Sequence, residues 1–152
     1  MALLGSEEAL NNNEWYYGQG DGNANSNGNT GQWGLVLAKK LVDELNIPVA
    51  IFNGAHGGQA ISFFQRPQDY QSSTNSNYGR LYYRLNKTGL KPFVRGVLWS
   101  QGEADSFTGG LSTQVYKVEF ENLVSSWQED YPNIEQYYIC LLYTSPSPRD
   151  LK

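Results

Sequence analysis

The chain has 152 residues, of which 39% are hydrophobic and 17% charged, a composition typical of a globular domain rather than a disordered segment. The net charge of −4 gives no electrostatic basis for nucleic-acid binding, and no apolar run is long enough to span a membrane. A single Cys and a single His exclude a disulfide framework and a Cys/His zinc site, so we expect neither a metal nor another cofactor. A triad inside this chain would have only His56 as its base.

Residues 1–32 are rich in Gly and Asn and predict an irregular loop region without a regular element. Within it, DGNAN at residues 21–25 resembles the start of a calcium loop, but Ser26 and Gln32 stand where such a loop has Gly and Glu. Because Asn/Gly runs commonly form turns, we predict a loop that does not bind calcium.

Regular structure is predicted from residue 33 onwards. Helical periodicity over residues 33–45 predicts a first helix, which Asn29 or Thr30 would cap and whose inward face is Leu37, Ala38, Leu41, Val42 and Leu45. The apolar run at residues 49–52 predicts a buried strand. A glycine-rich loop, NGAHGG at residues 53–58, follows it.

Two more helix–strand pairs are predicted towards the carboxyl end. A helix over residues 79–88, with Gly89 as its stop, has Leu81, Tyr82 and Leu85 inward, and a strand over 93–99 follows. A helix over 113–129 precedes a strand over 134–139, and its apolar face is Tyr116, Phe120, Leu123, Val124 and Trp127.

The predicted order α-β-α-β-α-β, with unbroken apolar strands, indicates an α/β domain with a parallel sheet and helices on both faces. Ligands bind such sheets beyond the carboxyl ends of the strands. NGAHGG at 53–58 and SQGEAD at 100–105 both follow predicted strands, so we expect them to form one site.

The glycine-rich loop offers main-chain chemistry. Free N–H groups near Gly57 and Gly58 suit an oxyanion or a phosphate, although the spacing matches neither common phosphate-binding motif. A plain glycine turn remains the alternative.

The SQGEAD segment offers side-chain chemistry. The Gln101 amide can donate to an oxyanion, and Gly102 permits close backbone approach. Glu103 would orient a base, act as an acid/base or hold a neighbouring loop. We expect Asp105 to cap the segment that leads to the next helix.

The last residues change character abruptly. CLLYTSPSPRDLK at residues 140–152 resembles the translation of a sequencing adapter, with a genuine Ser/Pro-rich linker as the alternative. We therefore expect residues 140–152 to be a non-native tail and the chain to be a fragment whose native sequence ends near Ile139.

The two loops together resemble a known family. Gly54, Gly57, Gly58 and Ile61, followed by GVLWSQGEAD at 96–105, are similar to blocks II and III of the sialate O-acetylesterase and carbohydrate acetylesterase branch of the SGNH hydrolases. The W-x-Q-G-E core is fairly specific, and the likeness spans roughly residues 31–139. It implies a three-layer α/β/α flavodoxin-like fold with a parallel sheet, over a partial domain at 33–139 that is incomplete at both ends.

The resemblance also implies roles for individual residues. Gly57 or Gly58 would give a main-chain N–H to the oxyanion hole, Gln101 would be the side-chain donor, and Glu103 would be the block III acid that assists the catalytic His. Three further residues would line the substrate: His56, Gly102 and Asp105.

This sequence departs from the family pattern at the nucleophile and at the base. No block I serine motif occurs, since Ser6 and Ser26 lie in other contexts, and the Asp-x-x-His block would belong beyond Ile139. His56 occupies a block II position that other residues usually hold, so we interpret it as site-lining or structural rather than as the base.

The implied reaction is removal of O-acetyl groups from a sialate or xylan-type carbohydrate by a serine esterase, secreted or periplasmic in its parent form. We expect this chain alone to be inactive. The alternatives are a fragment of a (β/α)₈ glycosidase with Glu103 as acid/base, or a non-catalytic carbohydrate-binding module.

Overall fold

The computed structural model describes residues 33–106 and 110–140. They form two compact units: residues 33–57 with 66–91 make unit 1, and residues 58–65 with the described part of 92–140 make unit 2. The predicted loop region at 1–32 lies outside the described residues, as do its calcium-like sequence, the caps Asn29 and Thr30, and residues 141–152.

Unit 1 contains two helices, α1 at Gly34–Leu45 and α2 at Asn77–Lys87. Both confirm predicted helices to within two residues at each end. The cap of α2 is Ser76, whose Oγ accepts a hydrogen bond from Gly79 N at 2.9 Å. On the predicted inward face of α1, Ala38 is buried, whereas Val42 and Leu45 are exposed.

The core of unit 1 is built mainly from tyrosines. Tyr78, Tyr82 and Leu85 of α2 are buried. The ring of Tyr70 packs edge-on against Tyr78 and Tyr82, at centroid distances of 5.6 and 4.9 Å. Half-buried Leu81 completes the predicted inward face of α2. Aromatic side chains therefore form much of the core of unit 1.

The predicted strand at residues 49–52 is wrong, because this segment has no regular structure. Val49, Ile51 and Phe52 are partly buried, which explains their apolar character. A strand also needs a neighbouring strand to satisfy its N–H and C=O groups. Within residues 33–106 and 110–140, only β1 and β2 of unit 2 pair with each other.

Unit 2 is a parallel β–α–β arrangement. Strand β1 (Gly96–Trp99) pairs with β2 (Gln136–Ile139), with Gly96 opposite Gln136 and Trp99 opposite Ile139. Between them lie the short helix α3 (Glu103–Ser106) and the long helix α4 (Thr113–Asp130).

Both strands of unit 2 begin later than predicted. β1 starts at Gly96 rather than at 93, because Lys91–Phe93 form a 3₁₀ turn in which Phe93 is 67% exposed. β2 starts at Gln136 rather than at 134. The carboxyl end of each strand is as predicted, and it is the carboxyl end of β1 that positions the site.

One face of the sheet packs on α4. Trp127 contacts Trp99 of β1 and Tyr137 of β2, with ring centroids 5.4 and 6.4 Å apart. Leu123 is fully buried below them, as is Ile61 of the 3₁₀ turn Ile61–Phe64. The predicted core face of α4 is thus confirmed.

The opposite face of the sheet is open, since Leu98 and Tyr138 are 40% and 60% exposed. The structure is therefore α/β with a parallel sheet, as predicted, but this sheet has two strands. No helix among the described residues is long and apolar enough to cross a membrane.

Candidate functional site

Residues 59–61, which directly follow the glycine-rich loop, meet the SQGEAD segment in unit 2. Gln101 Nε2 donates to the Gln59 carbonyl oxygen at 2.9 Å, across a separation of 42 residues. Ile61 N donates to Asp105 Oδ2, also at 2.9 Å, across 44 residues. Two hydrogen bonds thus join residues 59–61 to the turn after β1.

The local backbone explains why the second loop turns where it does. β1 ends at Trp99, and Gly102 has φ 136°, a conformation that a residue with Cβ rarely adopts. α3 starts immediately afterwards at Glu103. The turn at Gly102 brings Gln101, before it, and Asp105, after it, within hydrogen-bond distance of each other.

The Gln101 amide lies at the centre of this network. Its Nε2, which carries two hydrogens, has two acceptors: Asp105 Oδ2 at 2.6 Å and the Gln59 carbonyl at 2.9 Å. Its Oε1 accepts from the Tyr116 hydroxyl at 3.0 Å. The opposite amide orientation would put Oε1 against a carbonyl and a carboxylate, so the network itself fixes the orientation.

The Asp105 side chain does not cap the segment that leads to the next helix, contrary to the prediction. It is the third residue of α3, only 5% exposed, and its carboxylate accepts from Ile61 N and Gln101 Nε2. The cap of α4 is Ser112, whose Oγ accepts from Val115 N at 3.3 Å. Ser112 takes that role because it directly precedes α4, whereas Asp105 is buried in the preceding short helix.

Glu103 has a different environment from Asp105, although both lie in α3. Its side chain is exposed, and no residue in the described ranges 33–106 and 110–140 forms a hydrogen bond with its carboxylate. Its predicted role as the block III acid stays a prediction, and the same holds for the substrate contact expected of Gly102.

Tyr116 shares the hydrogen-bond network of Gln101, whereas its sequence pattern predicted only a place on the apolar face of α4. Its hydroxyl also lies 3.1 Å from the Gln101 carbonyl oxygen and accepts from Trp99 Nε1 at 3.5 Å. Burial raises the pKa of Tyr116 above its ordinary value, Trp99 opposes this, and the charges of Asp105 and Glu103 add to it. The hydroxyl therefore stays protonated and able to donate at neutral pH.

The first half of the glycine-rich loop belongs to unit 1. Arg84 donates from Nη2 to the Asn53 carbonyl at 2.8 Å, and Asn77 Nδ2 donates to the Gly54 carbonyl at 2.8 Å. His56 and Gly57 follow and are exposed. Unit 2 begins at Gly58, which is also exposed. The oxyanion role of either glycine and the substrate contact of His56 stay predictions.

No group of three or more His, Cys, Asp or Glu side chains in the described part of the chain is arranged to hold a metal ion. Unit 2 contains the Gln101 side-chain amide, whose plane is fixed by its hydrogen bonds, and the main chain next to Gly58 and Gly102. Such preorganised donors can stabilise negative charge on a substrate oxygen.

Comparison with known proteins assigns the chain to a family. The family model described as carbohydrate esterase, sialic acid-specific acetylesterase matches residues 11–141, a range that contains the whole network around Gln101. Searches of curated proteins and of solved structures gave no match. The family match covers most of the 152 residues, and the chain therefore belongs to the carbohydrate esterases described as sialic acid-specific acetylesterases.

Proposed function

We propose that this chain carries the oxyanion-binding part of an SGNH-type acetylesterase site that removes O-acetyl groups from a carbohydrate of the sialate or xylan type. In the reaction, a serine hydroxyl attacks the acetyl carbonyl and the sugar alcohol leaves. Water then hydrolyses the acetyl-enzyme to acetate and free serine. Both steps place negative charge on the carbonyl oxygen, which needs hydrogen-bond donors.

The observation that carries the proposal is the 2.9 Å bond from Gln101 Nε2 to the Gln59 carbonyl, since it joins the two family-like segments within unit 2. Gln101 would supply a side-chain N–H, and the exposed main chain at Gly58 would supply another. The family match favours this esterase chemistry over the glycosidase and binding-module alternatives.

We further propose that the 152-residue chain does not turn over acetyl esters. Neither the serine block nor the Asp-x-x-His block of the resemblance occurs in its sequence. The single His56 is exposed and belongs to unit 1. The fragment interpretation and the non-native tail at 140–152 remain part of this proposal.

The test is a titration of the ¹⁵N-labelled chain with an O-acetylated sialic acid and with its deacetylated form, followed by NMR. We expect the acetylated sugar alone to shift the amides of Gly58–Ile61 and the Gln101 side chain, without release of acetate. Gln101→Leu should abolish the response, whereas the matched change Gln136→Leu, on exposed β2, should preserve it.

Three results would contradict the proposal. Equal responses to both sugars, or sugar binding that survives the loss of Gln101 and Glu103, would indicate a general carbohydrate-binding module. A burst of acetate that disappears in His56→Ala would show that this chain contains its own catalytic base.

A further inference from the structure

We propose that Asp105 is a positioning residue: together with Tyr116 it fixes the plane of the Gln101 amide, so that the Nε2 hydrogen now donated to the Gln59 carbonyl is the one offered to the substrate oxygen. This inference rests on the function proposed above and deepens it. The buried carboxylate of α3 would thereby set the direction in which Gln101 donates.

The Gln101 amide nitrogen already has one acceptor for each of its two hydrogens. Asp105 Oδ2 lies 2.6 Å away and the Gln59 carbonyl 2.9 Å away. A substrate oxygen can bind only if one of these two acceptors gives way. Which one gives way decides the direction in which the amide can donate.

Of the two acceptors, the Asp105 carboxylate forms the stronger hydrogen bond with Gln101 Nε2. The bond to Asp105 is the shorter of the two, and a carboxylate acceptor makes a hydrogen bond stronger than a neutral carbonyl does. Asp105 is also buried, so water cannot easily replace Gln101 as its donor. The Gln59 carbonyl is therefore the acceptor that a substrate oxygen displaces.

Two hydrogen bonds oppose rotation of the Gln101 side-chain amide away from Asp105. Its Oε1 accepts from the Tyr116 hydroxyl at 3.0 Å, and Trp99 Nε1 donates to that hydroxyl at 3.5 Å. Rotation of the amide would break the Tyr116 bond and leave a buried carboxylate facing an oxygen. Tyr116 and Asp105 thus hold opposite ends of one planar group.

Asp105 is itself hydrogen-bonded to the main chain of residues 59–61. The same Oδ2 that accepts from Gln101 also accepts from Ile61 N. Ile61 is fully buried at the start of the 3₁₀ turn Ile61–Phe64, and the carbonyl that Gln101 contacts lies two residues earlier. A shift of Asp105 would therefore displace the donor amide and the main chain beside Gly58 together.

The test compares Asp105→Asn with Glu103→Gln in the full chain. Each variant removes one charge from α3 while keeping side-chain shape, and only Asp105 belongs to the network. We expect Asp105→Asn to move the Gln101 side-chain NH₂ resonances, to speed hydrogen exchange at the Ile61 amide about tenfold, and to weaken binding of O-acetylated sialic acid about tenfold. Glu103→Gln should change neither Gln101 nor Ile61.

Exchange at Leu123 separates positioning from general stability. Leu123 is buried in the α4 core of the same unit, and its exchange rate should be the same in both variants and in the parent chain. The proposal is overturned if Asp105→Asn leaves the Gln101 resonances unchanged, or if Leu123 loses as much protection as Ile61.

These readouts also distinguish the two proposals. The Gln101 resonances and Ile61 exchange require no sugar, so they decide the positioning role by themselves. If the network responds as expected but the parent chain binds no acetylated sugar, the proposed function fails and the structural role of Asp105 stands.

Discussion

The loop at residues 53–61 is anchored at both ends by side chains from distant parts of the sequence, but the two anchors differ. At its start, in unit 1, Arg84 and Asn77 of α2 donate to the carbonyls of Asn53 and Gly54. At its end, in unit 2, Gln101 donates to one main-chain group while Asp105 accepts from another.

The two anchors differ in the chemical groups that they join. The two bonds in unit 1 run from side chains of α2 to main-chain carbonyls. The bonds in unit 2 continue from Tyr116 through Gln101 to Asp105, and linked hydrogen bonds of this kind polarise one another. Each anchor contains a neutral side-chain amide, Asn77 in unit 1 and Gln101 in unit 2, but only that of Gln101 is hydrogen-bonded to both a buried carboxylate and a tyrosine hydroxyl.

The largest expected effect comes from displacing α2, which carries the unit 1 anchor. A Cβ on Gly79 would lie 2.3 Å from the Ser73 carbonyl oxygen, and main chain cannot move aside as a flexible side chain can. Gly79→Ala should therefore lower the free energy of unfolding of unit 1 by about 3 kcal/mol.

The measurement for Gly79→Ala is amide hydrogen exchange, because it reports each unit separately. Protection should fall throughout α2 and stay unchanged at Ile61 in unit 2. Gly57→Ala is the matched control, since its new Cβ has no atom within 4 Å and should be nearly neutral. Equal loss of protection in both variants would contradict the packing argument.

A smaller effect is expected from removing the unit 1 anchor itself. Arg84 is 4% exposed, and Arg84→Met keeps the aliphatic stem while leaving the Asn53 carbonyl without its 2.8 Å donor. We expect unit 1 to lose about 2 kcal/mol of stability, since the bond is made by a charged group. Urea unfolding should show this loss. Arg80→Met, at a more exposed position of the same helix, should cost less than about 0.5 kcal/mol.

The sequence predicted the helices better than the strands, for a physical reason. A helix satisfies its hydrogen bonds locally, so apolar periodicity suffices to locate α1, α2 and α4. A strand depends on a partner elsewhere in the chain. Residues 49–52 have a strand-like apolar run but no partner in the described part, whereas Gly96–Trp99 has β2.

The same distinction applies to the site. The amide of Gln101 and the loop that it contacts could be predicted, because strand ends in α/β proteins concentrate functional groups. Tyr116 and the role of Asp105 could not, since hydroxyls and carboxylates on helices serve many purposes. One available signal was that Tyr116 brings the only hydroxyl of the predicted apolar face of α4, and does so in the first turn of the helix.

The smallest effect tests Tyr116 against a second tyrosine of unit 2. Tyr116→Phe removes the donor to Gln101 and should cost about 1 kcal/mol at neutral pH. Tyr137 is the matched control, because its buried hydroxyl has no hydrogen-bond partner within residues 33–106 and 110–140. Tyr137→Phe should therefore be neutral or slightly stabilising, and chemical denaturation at pH 7 should separate the two variants.

The stability of the two Phe variants should depend on pH in the same way above pH 10. Burial raises the pKa of both tyrosines above the ordinary value of 10.0, so the folded chain keeps protons that the unfolded chain releases. This contribution to stability is complete below pH 10 and is lost as pH rises through the folded pKa. Each Phe variant should therefore lose stability less steeply above pH 10 than the parent chain. A cost at neutral pH that is equal for both variants would show that Tyr116 acts through packing alone and not through its bond to Gln101.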